Sequence, residues 1–271
     1  MIIADFHLHS SHSEDSDTPM EQQIEAGIKA GLKHMCFTEH MDKDFPGSTD
    51  DKKLFEVDTD VYYRHCMECR NKYEDRMDVG FGIEYGCQVH LREHNINYVN
   101  KYPFDFVIAS QHLVDGIDVY YPEYFNGMSE REAYLKYFEA TLESICLFDE
   151  YDIFGHIDYI VRYGPNKNRE YFYKDYADVL DEILRQLIMR GKGIEINTGG
   201  FRKLGNDANP GREILKRYHE LGGEIITVGS DAHRREDVAG DFDRAEDMLK
   251  GLGYTYYCIY KNRKPVFLSL I

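Results

Sequence analysis

Nine side chains of the kind that bind hard or borderline metal ions stand at seven places along the chain: His7, His9, Asp15, His40, Glu84, His112, His156, Asp231 and His233. Most of them follow directly on a short apolar run. Imidazole and carboxylate donors together suit zinc, iron or manganese, and no thiolate is needed. His7-Leu8-His9 and Asp231-Ala232-His233 share a further property. Side chains two residues apart in an extended strand point the same way, so each pair reaches one ion without distorting the backbone. An isolated H-x-H has little specificity. Donors that recur at the ends of successive apolar runs have much more. They imply one multi-metal site at the mouth of a barrel, where catalytic groups come from the C-terminal ends of several strands.

The apolar runs set the frame that must hold these donors. Strands are expected near Ile2–His7, His34–Thr38, Val79–Glu84, Phe104–Ser110, Ile153–His156, Gly193–Asn197 and Ile225–Gly229. Amphipathic segments alternate with them, the pattern of a parallel sheet with crossover helices. Thr18-Pro19-Met20-Glu21 reads as a capping box with proline at the first helical position, followed by Met20, Ile24 and Ile28 at helical spacing. Ser129-Glu130-Arg131-Glu132 reads as a second capping box, opening a helix with Tyr134, Phe138, Leu142 and Ile145 on one face. A helix from about Tyr173 to Arg190 would bury Val179, Leu180, Ile183, Leu184 and Leu187 and stop at Gly191. Asn209-Pro210 would start another, carrying Ile214, Leu215, Tyr218 and Leu221. About seven β/α units follow one another with no linker, fixed repeat or low-complexity tract. A barrel of this kind takes ~250 residues, so residues 1–271 read as one domain. The polar stretches His40–Asp58, Asp115–Gly127 and Gly164–Tyr171 follow strands and read as loops crowding the same barrel face.

Composition narrows the function. Hydrophobic residues make up 42% of the chain, and 22 Tyr and 15 Phe supply core bulk in the absence of Trp. A net charge of −17 repels duplex nucleic acid and anionic membranes, so neither is an expected partner. A small anionic substrate is still compatible, because bound cations can dominate a local field. The chain enters a strand at once, without a signal peptide, and no apolar run approaches the ~18 residues of a membrane helix. With six cysteines serving as small hydrophobes, a reduced, cytoplasmic protein is expected. Two local motifs are set aside. His90-Leu91-Arg92-Glu93-His94 matches an inverted zinc-protease motif but lacks a third ligand nearby. Cys66-Met67-Glu68-Cys69 sits mid-helix without a second cysteine pair, and packing is its expected role.

Taken together, His7-x-His9-Ser10, Thr38-Glu39-His40, Glu84, His112, Gly155-His156-Ile157-Asp158 and Ser230-Asp231-Ala232-His233 resemble the polymerase and histidinol phosphatase (PHP) family. The resemblance covers the whole chain. Gly155 to Pro165, Glu195-Ile196-Asn197-Thr198 and Phe201-Arg202 are similar to its histidinol-phosphatase branch. The resemblance implies a distorted (β/α)7 TIM-like barrel, a PHP-type metal-dependent phosphoesterase, and three divalent ions, with zinc, iron or manganese all compatible. His7, His9, Glu84 and Asp231 would hold the first ion. Glu84 would bridge to a second, completed by His112 and His156. Asp15, His40 and His233 would hold the third. Asp15 best fits the family's spacing, with Asp17 and His12 as alternatives.

The implied reaction is hydrolysis of a phosphate monoester, with L-histidinol phosphate of histidine biosynthesis as substrate. Two ions sharing a carboxylate can trap a bridging hydroxide, which would attack phosphorus in line. Arg162 and Arg202, each shortly after a strand end, are the candidates for gripping phosphate, since a guanidinium fork matches its oxygens. The leaving group would take a proton from a metal-bound water, Asp158 or His233. Glu39, Gln111 and Asp158 are candidates for orienting ligands from behind. Three divalent ions against the carboxylates of Asp15, Glu84 and Asp231 would leave the pocket positive. Two rival readings differ in partner. One is a phosphoesterase of the same fold acting on nucleotides or nucleic-acid 3′ phosphates. The other is a non-catalytic metal-binding barrel module.

Overall fold

Runs of β-branched and aromatic residues bounded by charged segments form strands here because both faces of each run are covered, as parallel sheets require. The computed structural model describes residues 1–49, 52 and 54–270. In chain order the strands are β1 (Ala4–Asp5), β2 (His34–Met41), β3 (Asp78–Gly86), β4 (Phe106–Ser110), β5 (Leu113–Val114), β6 (Ile117–Asp118), β7 (Ile153–Phe154), β8 (Gly193–Asn197), β9 (Ile226–Gly229), β10 (Tyr256–Lys261) and β11 (Lys264–Ser269). Seven of them form one parallel sheet in the order β1-β2-β3-β4-β7-β8-β9. The sheet curls nearly closed. Phe6 N donates to Val228 O at 2.9 Å, Asp231 N to His7 O at 2.7 Å and His9 N to Ala232 O at 2.9 Å. These bonds stitch the end of β1 to the end of β9, so His7, His9, Asp231 and His233 lie beside the same seam. The seven expected strands and the distorted barrel are both present.

Helices α1 (Met20–Ala30), α2 (Thr59–Tyr73), α3 (Arg92–Lys101), α4 (Glu130–Leu147), α5 (Ala177–Met189), α6 (Gly199–Leu204), α7 (Arg212–Glu220) and α8 (Phe242–Gly251) complete the fold. α5 turns Leu180, Ile183, Leu184 and Leu187 inward, all fully buried. Each such side chain contributes ~1.5–3 kcal/mol by leaving water. The Ser129–Glu132 capping box forms as the sequence predicts, with Glu132 N donating to Ser129 Oγ and Ser129 N donating to Glu132 Oε2.

Three local expectations are corrected. Thr18 does not cap α1; its Oγ1 donates instead to His233 O at 3.1 Å, beside Ser16 Oγ at 2.8 Å. The hydroxyls tie the first loop to the residues after β9 rather than to the helix. α5 begins at Ala177, after a short 3-10 turn at Tyr173–Asp175. α7 begins at Arg212, because the backbone of Asn209 pairs with that of Asn197 at 2.7 and 3.0 Å and holds the chain extended there. Of the expected loops, His40–Asp58 begins inside β2, and its residues 50, 51 and 53 lie outside the described residues. Asp115–Gly127 contains β6 and a 3-10 turn at Pro122–Phe125.

The C-terminal hairpin of β10 and β11 is an addition to the expected plan. It caps the N-terminal end of the barrel, where the Tyr260 ring packs 4.9 Å from that of Phe106 and Arg263 Nε donates to Asp152 Oδ2 at 2.6 Å. The opposite end, where the strands terminate in polar residues, is left open. Among the described residues no helix is long and apolar enough to cross a membrane.

Candidate metal centre

Glu84 lies near the end of β3, paired in register with His40 of β2. Its fully buried carboxylate is ringed by five imidazoles. His7 Nε2, His40 Nδ1 and His9 Nε2 approach Oε2 at 3.2, 3.3 and 3.5 Å, while His156 Nε2 and His112 Nε2 approach Oε1 at 3.0 and 3.4 Å. Asp231 closes one side, with Oδ1 3.6 Å from both His7 Nε2 and His9 Nε2. Asp15 closes the other, with Oδ2 2.9 Å from His233 Nε2 and 3.7 Å from His40 Nε2. The structure therefore brings all nine sequence-derived donors to one place, from six strands and the loops after them. Four triads have donor atoms within 4.8 Å of one another: His7, His9 and Glu84; His7, His156 and Asp231; His40, Glu84 and His112; and His9, His40 and His233. His40 faces Glu84 as well as Asp15, so it sits between the second and third of the expected ligand sets. Of the alternatives to Asp15, His12 turns away to pair with His65 Nδ1 at 2.8 Å, and Asp17 lines a separate polar cleft.

A ring is only a good ligand if its other nitrogen is fixed. Two carboxylates missed at the sequence level do this. Glu195 of β8 places Oε2 2.9 Å from His7 Nδ1 and accepts His156 N on Oε1 at 2.7 Å. Asp42 places Oδ1 2.7 Å from His112 Nδ1 and Oδ2 3.4 Å from His40 Nδ1. The signals were present: Glu195 is an acid inside an apolar strand, and Asp42 follows His40 at the two-residue spacing of one strand face. Glu39 acts one step further back. It accepts from Ser10 Oγ and Ser13 Oγ, both at 2.6 Å, and Ser13 Oγ stands 3.2 Å from His9 Nδ1.

Two other candidates have different work. The Gln111 side chain bonds the carbonyls of Leu113 and Cys87 and the hydroxyl of Ser144, and touches none of the nine donors. It braces the turn into β5, so the orienting role expected of it is corrected. Asp158 is committed to Asn209 Nδ2 at 2.7 Å and Gly211 N at 2.8 Å. Burial pushes its carboxyl up to about 7 against those hydrogen bonds. It faces away from the cavity and positions Asn209, whose Oδ1 accepts Arg162 Nε at 2.7 Å.

The electrostatics favour cations. Burial, with His233 and His40 alongside, lowers His9 to about 3, so the ring is neutral, and with Nδ1 donating to Ser13 Oγ its lone pair falls on Nε2. Burial works against a charged Glu84, but His7 and His112 overcome it and hold the carboxyl well below its ordinary value. His7 Nε2, His9 Nε2 and Glu84 Oε2 are buried without a hydrogen-bond partner. Each unsatisfied group costs ~1–3 kcal/mol. Converging orphan donors of nitrogen and oxygen fit divalent zinc, iron or manganese.

Seven of the nine donors, all but His7 and His9, line an open cavity of about 610 Å³. Arg162, Arg202, Lys203 and Arg234 line it together with Tyr120, Tyr121, Tyr159, Tyr163 and Asp118, and the Arg162 guanidinium lies 5.1 Å from the Tyr159 ring centroid. Arg162 is more constrained than a free phosphate grip. Nη1 donates to Asp231 Oδ2 at 2.9 Å and Nη2 to Asn197 Oδ1 at 2.8 Å, in addition to the Asn209 bond. It thus orients a metal donor while two of its five N–H groups remain for a ligand. Arg202 Nη2 donates to Ser230 O at 2.6 Å, beside Asp237.

Fold and site together define a metal-binding (β/α)7 barrel, and the chain belongs to the PHP domain family, whose model matches residues 5–199. That span holds seven of the nine donors; Asp231 and His233 lie beyond it and join them through the β1–β9 seam. A protein of Clostridium acetobutylicum named "Probable histidinol-phosphatase" is 34% identical, over 99% of this chain and 97% of its own length. The histidinol-phosphatase of Lactococcus lactis subsp. lactis is 30% identical, over 96% of this chain and 95% of its own. A crystal structure of histidinol phosphate phosphatase from Lactococcus lactis, complexed with zinc, L-histidinol and phosphate, superposes with a TM-score of 0.87 at 29% identity. It covers 97% of this chain and 98% of that one.

Proposed function

We propose that this chain, acting as one barrel domain over residues 1–271, is a divalent-metal-dependent phosphatase that converts L-histidinol phosphate and water to L-histidinol and phosphate. The observation that carries the reading is the buried Glu84 carboxylate shared by five imidazoles at the floor of an open cavity. Three divalent ions of the zinc, iron or manganese class are held by the nine donors in this reading. Such ions would neutralise phosphoryl charge and supply a nucleophile from water near neutral pH.

The chain's own residues do the rest. Glu195 and Asp42 hold His7 and His112 so that each Nε2 faces Glu84. Arg162 and Arg202 bind phosphate from the side of Asp231. Asp158 acts through Asn209 on Arg162 and takes no part in protonating the leaving group; His233, which lines the cavity, is better placed. The tyrosine wall offers ring faces to an imidazole, and the Asp118 carboxylate offers a partner to an ammonium. Six free cysteines suit a reduced, cytoplasmic setting.

The test is a panel of phosphate esters assayed by kcat/KM with zinc, manganese or iron present. Histidinol phosphate should exceed nucleotides and 3′-phosphorylated oligonucleotides by ~10⁴-fold, the discrimination of a site built to hydrogen-bond its substrate against ligands that leave those groups unpaired. A preference for either nucleotide class would overturn the substrate assignment and leave the metal centre standing. Metal binding without turnover of any ester would return the chain to a non-catalytic role.

A further inference from the structure

Outside the barrel mouth, one other group of metal-type donors converges among the described residues. His65 and Cys69 stand four residues apart on α2, so they share a helix face. Glu21, in the first turn of α1, reaches that face, and its Oε2 lies 3.4 Å from His65 Nε2. One ligand atom each from Glu21, His65 and Cys69 falls within 4.8 Å of the others. Cys66, the other half of the C-x-x-C, is not involved; its Sγ donates to Gly80 O at 3.6 Å, towards the barrel.

We propose that Glu21, His65 and Cys69 form a peripheral binding site for a borderline-soft divalent cation of the zinc class, with His12 as the residue that positions the His65 ring. Nitrogen, thiolate sulfur and carboxylate oxygen are all zinc donors at ~2.0–2.3 Å, which places two donors of one tetrahedral ion ~3.4 Å apart. The His65–Glu21 separation already has that value. His12 Nε2 lies 2.8 Å from His65 Nδ1, so with His12 accepting, the proton sits on Nδ1 and the Nε2 lone pair is presented to Glu21 and Cys69. Glu21 Oε1 is engaged by Lys72 Nζ at 3.6 Å, which leaves Oε2 for the ion. On binding, the Cys69 thiol gives its proton to solvent and a sulfur–metal bond replaces the S–H bond. The ion would pin α1 to α2 across the loop that carries His9 and Asp15. This site is independent of the reaction assigned to the barrel mouth.

Cobalt(II) titration of the full chain separates the two sites, because no thiolate is among the nine donors around Glu84 and only a cysteine ligand gives thiolate-to-cobalt charge-transfer absorption. With the barrel-mouth centre already loaded, wild type should develop that absorption at a stoichiometry of one thiolate-bound cobalt per chain. Cys69→Ala and His65→Ala should lose it, Cys146→Ala should keep it, and His12→Ala should weaken cobalt binding ~10-fold while retaining the band. Glu21→Ala, at a half-exposed position, should weaken it at least as much and keeps the test open if Cys69→Ala fails to fold. No thiolate absorption in wild type, or absorption that survives Cys69→Ala or His65→Ala, would overturn the proposal.

Discussion

Glu195→Gln replaces one oxygen by an NH2 group of the same size at a fully buried position. Glu195 faces three donors: His7 Nδ1 at 2.9 Å on Oε2, and His156 N at 2.7 Å and Asn197 Nδ2 at 3.2 Å on Oε1. Glutamine keeps only one acceptor oxygen. If that oxygen stays with His156 and Asn197, the new NH2 points at His7 Nδ1. His7 must then carry its proton on Nε2, which removes the lone pair aimed at Glu84 and Asp231. If the amide turns round, the NH2 meets the His156 N–H, and a buried hydrogen bond to a charged group, ~1.5–3 kcal/mol, is lost. Either outcome predicts a 10- to 100-fold loss of metal affinity or of kcat/KM. The assay is metal content after dialysis against a buffered zinc series, with kcat/KM on histidinol phosphate and circular dichroism as the fold control. A variant within twofold of wild type on both measures would refute the argument that Glu195 sets the His7 tautomer.

Arg162→Lys should lower kcat/KM at least tenfold and cost ~1.5–3 kcal/mol of stability, because an ammonium cannot serve Asp231, Asn197 and Asn209 together; unchanged kinetics and denaturation midpoint would contradict this. Chelation should lower the melting temperature by ~5–10 °C, since ligand at 100 times its Kd stabilises by ~2.7 kcal/mol and each kcal/mol moves a domain of this size by ~2–4 °C; an identical melt with and without chelator would count against a metal-bound native state. Arg217 donates to Asp181 at 2.9 and 2.6 Å and holds its carboxyl down to about 2. A folded pKa below the unfolded one stabilises above the unfolded value near 3.8, and the contribution fades as pH falls through about 2. Arg217→Ala should therefore shift the urea midpoint down at pH 7, with the two proteins converging near pH 2; a constant gap across that range would be the wrong result.

The barrel was legible because each strand is an apolar run closed by a polar cluster, and that pattern survives in a single sequence. β8 was placed to the residue, whereas β1 forms a ladder over only Ala4–Asp5, because its later residues bond across the seam to β9. The meeting of the nine candidate side chains was legible for the same reason: strand ends converge in a barrel, so residues far apart in sequence come together. What hid was whatever depends on a third partner. Thr18 has the chemistry of a helix cap, but a carbonyl from the other end of the chain competes for its hydroxyl. Asp42 and Glu195 show their role only once the rings behind which they stand are in place. Arg162 looked like a free phosphate grip until the packing of the turn after β7 set its Nη1 against Asp231. The inverted zinc motif fails because His90 lies in a 3-10 turn before α3, 3.3 Å from Asp44, while His94 lies on the helix beside Asn95.

The most direct measurement is phosphate release from histidinol phosphate by protein stripped with chelator, then reloaded with zinc, manganese or iron, alongside Asp231→Ala treated in the same way. Cations gathered around Glu84 predict no turnover when stripped, recovery on reloading for wild type, and none for Asp231→Ala at unchanged circular dichroism. Turnover by the stripped protein, or full recovery by Asp231→Ala, would contradict the account.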